Sequence, residues 1–90
     1  VADDRSVDIT TQAKQVMASI DRLLAEVGSD KTRLLSATIF LPDMADFPAL
    51  NGVWEAWILA GQTPARAKVE AKLAHPDYKV EIQVVATAPA

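Results

Sequence analysis

Apolar residues recur at spacings of three and four between positions 9 and 27, at Ala13, Val16, Met17, Ile20, Leu24 and Val27. That spacing predicts an amphipathic helix. Gln12, Lys14, Gln15, Asp21, Arg22 and Glu26 fall largely on its other face. Asp8 is placed to cap its start, because a short carboxylate accepts from the free amides of the first turn. Gly28 follows where a left-handed residue is wanted. The period then shortens. Residues 34–41 read as a strand, with Leu35, Ala37, Ile39 and Leu41 on one face and Leu34, Ser36, Thr38 and Phe40 on the other. Both faces are apolar enough to need cover, from helices or from another subunit. After Pro42, Asp46 is expected to cap a second helix that tolerates Pro48 in its first turn. Phe47, Leu50, Val53, Trp54, Trp57 and Ile58 form its buried side, and Gly61 lies past its end.

Two further strands are predicted. Residues 66–73 alternate Ala67, Val69 and Ala71 with Arg66, Lys68, Glu70 and Lys72. After a turn at 74–77, residues 79–86 place Val80, Ile82 and Val84 opposite Glu81, Gln83 and Val85. The order helix, strand, helix, strand, strand predicts an α+β two-layer sandwich with both helices on one face of the sheet. Three strands make a thin layer. Either an earlier strand belongs before Val1, or oligomerisation covers the bare sheet face. The chain opens without methionine on a polar stretch containing Asp3, Asp4 and Arg5, so it is expected to begin inside a larger parent sequence.

Composition narrows the function. Ninety residues, half of them hydrophobic, are expected to make one domain spanning 1–90. The absence of cysteine excludes disulfides and thiolate ligands, and the single histidine, His75, argues against a zinc site. A net charge of −3 and an isoelectric point near 4.9 weigh against nucleic acid as a partner. No apolar run approaches the roughly 20 residues of a membrane span, and the first residues do not form a signal peptide. A cytoplasmic protein without metal or cofactor is the expectation.

Three residues carry candidate chemistry. Pro64 fixes its own φ and pushes Thr63 toward extended geometry, so the chain enters the second strand stiffly with Arg66 near its start. Arg66 is either a surface arginine or a carboxylate anchor, its planar fork of donors matching an acid in a two-bonded geometry. Asn51 falls at the edge of the second helix's apolar stripe, where its amide either bonds to neighbouring backbone or faces a pocket. Glu81 can hold or deprotonate a water if it lies within hydrogen-bond reach. The competing reading is a solvated face on which Lys68, Glu70 and Lys72 make weak ion pairs. His75, directly before Pro76 in a turn, reads as a solvated loop residue rather than a catalyst.

Five segments in order resemble one family. They are residues 8–12 (DITTQ), 36–47 (SATIFLPDMADF), 51–54 (NGVW), 64–70 (PARAKVE) and 80–84 (VEIQV). Together they are similar to the RidA family, also called YjgF or L-PSP, and they cover nearly the whole chain. The resemblance implies a chorismate-mutase-like fold that assembles as a homotrimer, its sheets around the three-fold axis and its sites in clefts between subunits. It implies hydrolysis of enamines and imines, such as 2-aminoacrylate, to 2-oxo acids and ammonia. Arg66 would then bind the substrate carboxylate, Glu81 would position the attacking water, and Asn51 would lie beside the same cleft. Lys68 stands where the better-known deaminases often have cysteine; it would join the substrate-binding residues and alter the polarity of the pocket. Gln83 replaces what is often a second glutamate. Members usually begin with two or three strands that have no counterpart in this numbering. A noncatalytic trimeric binder of small acids or of a partner protein is one alternative, and the endoribonuclease of the older family label is another.

Overall fold

The computed structural model describes residues 8–58 and 63–88. The expectations for residues 1–7 and for Gly61 lie outside the described residues. Helix α1 runs Ile9–Glu26, strand β1 Leu34–Leu41, helix α2 Phe47–Trp57, strand β2 Ala65–Glu70 and strand β3 Glu81–Ala86. Single 3-10 turns at Lys31–Arg33 and Met44–Asp46 precede β1 and α2.

The ends of α1 follow from its flanking residues. Asp8 Oδ1 accepts from the Thr11 amide at 2.8 Å. At the other end Gly28 has φ 72°, its N–H donates to the Ala25 carbonyl, and the Ser29 N–H donates to that of Leu24. These two bonds satisfy carbonyls that a helix end leaves open. The helix therefore stops one residue short of Val27, which is exposed.

The sheet has the order β2-β1-β3, so β1 is central. It pairs parallel with β2 and antiparallel with β3. Both helices cover one face. Ala37, Ile39 and Leu41 of β1 are buried beneath Val16, Met17 and Ile20 of α1 and Leu50 and Trp54 of α2, with Ile82 and Val84 of β3 packed alongside. This is the predicted two-layer α+β sandwich on a mixed sheet.

Several local expectations are corrected. Leu34, not Leu35, joins the core: Leu34 is 7% exposed and Leu35 57%. The cause is a register shift against β3 between Leu34 and Ser36, since an extra residue in one strand reverses the alternation beyond it. Gln12 is fully buried rather than on the solvent face. Its Nε2 donates to the Asp77 carbonyl and its Oε1 accepts from the Lys79 amide, both at 2.9 Å. The amide thus satisfies one acceptor and one donor of the loop before β3. Asp46 makes no side-chain capping bond; the Met44–Asp46 turn already feeds the helix, and Asp43 caps that turn through the Ala45 amide at 2.9 Å. β2 ends at Glu70 and β3 begins at Glu81, both shorter than predicted.

Two contacts fix the far end of α2. Trp57 Nε1 donates to Asp21 Oδ2 on α1 at 2.9 Å, and Lys31 Nζ donates to the Trp57 carbonyl at 2.7 Å. A cation on the last carbonyls of a helix also meets its negative pole.

Candidate active site at the β2 edge

Cross-strand partners share a face of the sheet. The parallel register sets Arg66 beside Ala37 and Lys68 beside Ile39, so both basic residues project to the helical side. Ala67 and Val69 pair with Thr38 and Phe40 and project to the bare side. The charged row of β2 is exposed along its whole length, as the solvated-face reading expects. It faces the start of α2.

There the residues at i, i+4 and i+7 of α2 form a row, Phe47, Asn51 and Trp54, as helical geometry requires. The Arg66 guanidinium carbon lies 5.4 Å from the Phe47 ring centroid and 5.6 Å from that of Trp54. Arg66 Nη1 donates to Asn51 Oδ1 at 2.7 Å. Asn51 Nδ2 donates in turn to Glu55 Oε1 at 3.1 Å, which fixes which end of the amide meets the arginine. Asn51 thus bonds to two side chains rather than to backbone. Lys68 Nζ sits 4.0 Å from the Phe47 centroid, on the same ring. Contacts of this kind contribute about 0.5–1 kcal/mol each where exposed. Their larger effect is to hold a guanidinium in one pose, with only one of its five donors committed to Asn51.

Arg66, Asn51 and Lys68 are brought together; Glu81 is not with them. The antiparallel register places Glu81 beside Phe40, so its side chain leaves from the bare face while Arg66 leaves from the helical one. Within one protomer the sheet stands between them. Glu81 is half-buried and shares its face with Gln83, Val85, Phe40 and Val69, of which Val85 and Val69 are exposed hydrophobics. Two surface cavities, one between α1 and α2 around Trp57 and one bounded by Pro42, Lys72 and His75, are lined by none of these four residues.

His75 lies in the turn, as predicted. Its Nδ1 accepts from the Asp77 amide at 3.1 Å and stands 3.7 Å from Asp77 Oδ2. Among the described residues no group of three or more His, Cys, Asp or Glu is arranged to hold a metal, and no helix is long and apolar enough to cross a membrane. Phe47 and Trp54, expected only to fill the core, also flank the Arg66 guanidinium. Their spacing of four and three from Asn51 was the available signal.

The two-layer α+β sandwich recurs among solved structures. Residues 3–88 match the family model described as Endoribonuclease L-PSP, and the chain belongs to that family. A RutC family protein of Haemophilus influenzae is 51% identical over 76 residues, covering 84% of this chain and 66% of that protein. A Salmonella typhimurium structure, assigned provisionally as a translation initiation inhibitor, superposes with a TM-score of 0.95 at 46% identity, covering 98% of this chain and 76% of that one. The 2-iminobutanoate/2-iminopropanoate deaminase of Capra hircus is 32% identical over 78 residues, covering 87% of this chain and 56% of that enzyme. The chain thus spans between about half and three-quarters of the relatives it matches.

Proposed function

We propose that the chain forms a homotrimeric enamine/imine deaminase, hydrolysing 2-imino acids to 2-oxo acids and ammonia. The observation that carries this reading is the Arg66 guanidinium, held by Asn51 and two aromatic rings at an exposed sheet edge. A preorganised arginine with open donors suits a planar carboxylate. The similarity to an iminobutanoate deaminase supports the same choice.

In this reading Arg66 anchors the carboxylate of a 2-imino acid. An enamine such as 2-aminoacrylate reaches the imine by proton transfer to its methylene carbon. Glu81 of a neighbouring subunit orients a water and takes its proton as the oxygen adds to C2. Glu81 returns that proton to the nitrogen of the tetrahedral carbinolamine, which leaves as ammonia as the hydroxyl gives up its own proton, forming the 2-oxo acid. The opposed faces of Arg66 and Glu81 are the reason a second copy is required. Packing the bare sheet face of one protomer toward the Arg66 edge of the next would bring the pair together and cover Val69 and Val85. Three copies close a ring with three equivalent sites. The ribonuclease named in the family's description is not adopted, because His75, the one histidine, is engaged with Asp77 in a surface turn and the chain is acidic.

The test is ammonia release from 2-iminopropanoate generated in place by an amino acid oxidase. The wild-type protein should accelerate release and Arg66→Ala should abolish the acceleration. Normal activity in that variant would refute the reading. Binding of small acids with no turnover in the wild type would make the protein a binder instead.

A further inference from the structure

We infer that Lys68 is a second anion anchor beside Arg66, and that the site, while it turns over alanine-like imines, prefers ligands carrying two carboxylates, such as imines of dicarboxylic amino acids. The inference rests on the deaminase reading for its chemistry, but not for its account of binding.

Two residues apart on one strand, Arg66 and Lys68 project to the same face about 7 Å apart along the backbone. Their charged ends stay near one another, because both lie within reach of the Phe47 ring, at 5.4 and 4.0 Å from its centroid. The two cationic centres are therefore less than about 10 Å apart. Charge-assisted hydrogen bonds of roughly 2.8 Å at each centre let one short chain with an acid at each end reach both. A ligand with one carboxylate uses Arg66 and leaves the ammonium of Lys68 beside its tail.

Among the described residues no carboxylate forms an ion pair with Arg66 or Lys68. Glu70 follows Lys68 on the same face, opposite Leu41, and is exposed without bonding to it. Glu55 meets the site through the Asn51 amide, which stands between it and Arg66. A lysine held over an aromatic ring loses part of the freedom that makes exposed lysines poor ligand-binding groups. For the reaction the second carboxylate stays unchanged: water adds at C2, the nitrogen leaves as ammonia, and the product is a 2-oxo dicarboxylic acid.

The experiment is calorimetric titration of the assembled protein with succinate and with butyrate, which share a four-carbon chain and differ by one carboxylate. Wild type should bind succinate about tenfold or more tightly than butyrate. Lys68→Met should erase that margin without weakening butyrate, Lys68→Arg should keep it, and Arg66→Met should weaken both. Equal affinities in the wild type, no binding of either acid, or a margin that survives Lys68→Met would overturn the inference. Turnover of imines generated from aspartate and from alanine is measured in parallel. A succinate preference with no turnover of either imine would sink the deaminase reading and leave the paired anchor standing.

Discussion

Asn51 receives the Arg66 guanidinium on its carbonyl oxygen at 2.7 Å while its nitrogen donates to Glu55 one turn further along α2. The arginine is therefore aimed by a chain of two hydrogen bonds rooted in the helix. Removing the amide leaves the positive charge but not its pose. Asn51→Ala is accordingly expected to raise KM for 2-iminopropanoate several-fold while changing kcat less, the pattern of lost uniform binding. Steady-state kinetics on freshly generated imine decide it, and an unchanged KM would mean that the two rings alone hold the guanidinium.

Gln12 does for the loop before β3 what Asn51 does for Arg66. Its amide holds the Asp77 carbonyl and the Lys79 amide, two positions before Glu81. Gln12→Leu keeps the volume but strands both backbone groups against the core. The expected cost is about 2–4 kcal/mol, seen as a lower urea midpoint with an unchanged slope. A loss below about 0.5 kcal/mol would show that water replaces the amide there.

How far these features are legible in the sequence depends on whether local or nonlocal physics sets them. Asp8, Gly28 and the α1 stripe act within a few residues of themselves, and helix α1 appears nearly where periodicity puts it. β1 is equally legible in extent, but the inward turn of Leu34 comes from a bulge against a strand some fifty positions later. Gln12 looks like a solvent-facing helical residue because its partners lie 65 and 67 positions away. At the site, the types and spacing of Arg66 and Asn51 mark them out. That Lys68 shares a ring with Arg66 follows only once the parallel register turns β2 toward α2.

Acid should weaken the fold in a defined direction. The carboxyl of Asp8 lies below its ordinary value of 3.8, chiefly through the Thr11 amide and then the Thr11 hydroxyl. That of Asp30 is lowered by the Thr32 hydroxyl and then the Thr32 amide. A carboxylate whose folded value is depressed stabilises the fold fully above its unfolded value and loses that contribution as pH falls through the folded one. Melting temperature should therefore decline below about pH 4, and less steeply in Asp8→Asn, which still caps but does not titrate there. Parallel wild-type and variant curves between pH 5 and pH 2 would show that the cap carries none of the dependence.

The opposed faces of Arg66 and Glu81 make the most discriminating prediction. If each site takes its arginine from one subunit and its glutamate from the next, Arg66→Ala and Glu81→Gln are both inactive alone for complementary reasons. Mixing the two variants, unfolding them and refolding them together scrambles subunits within rings. In a head-to-tail ring every interface is a directed pair, and one pairing in four joins an intact arginine to an intact glutamate. The mixture should recover about a quarter of wild-type activity, while each variant refolded alone recovers none. Were both residues of one site drawn from the same protomer, no arrangement of subunits would restore an intact pair, and the mixture would stay as inactive as its components.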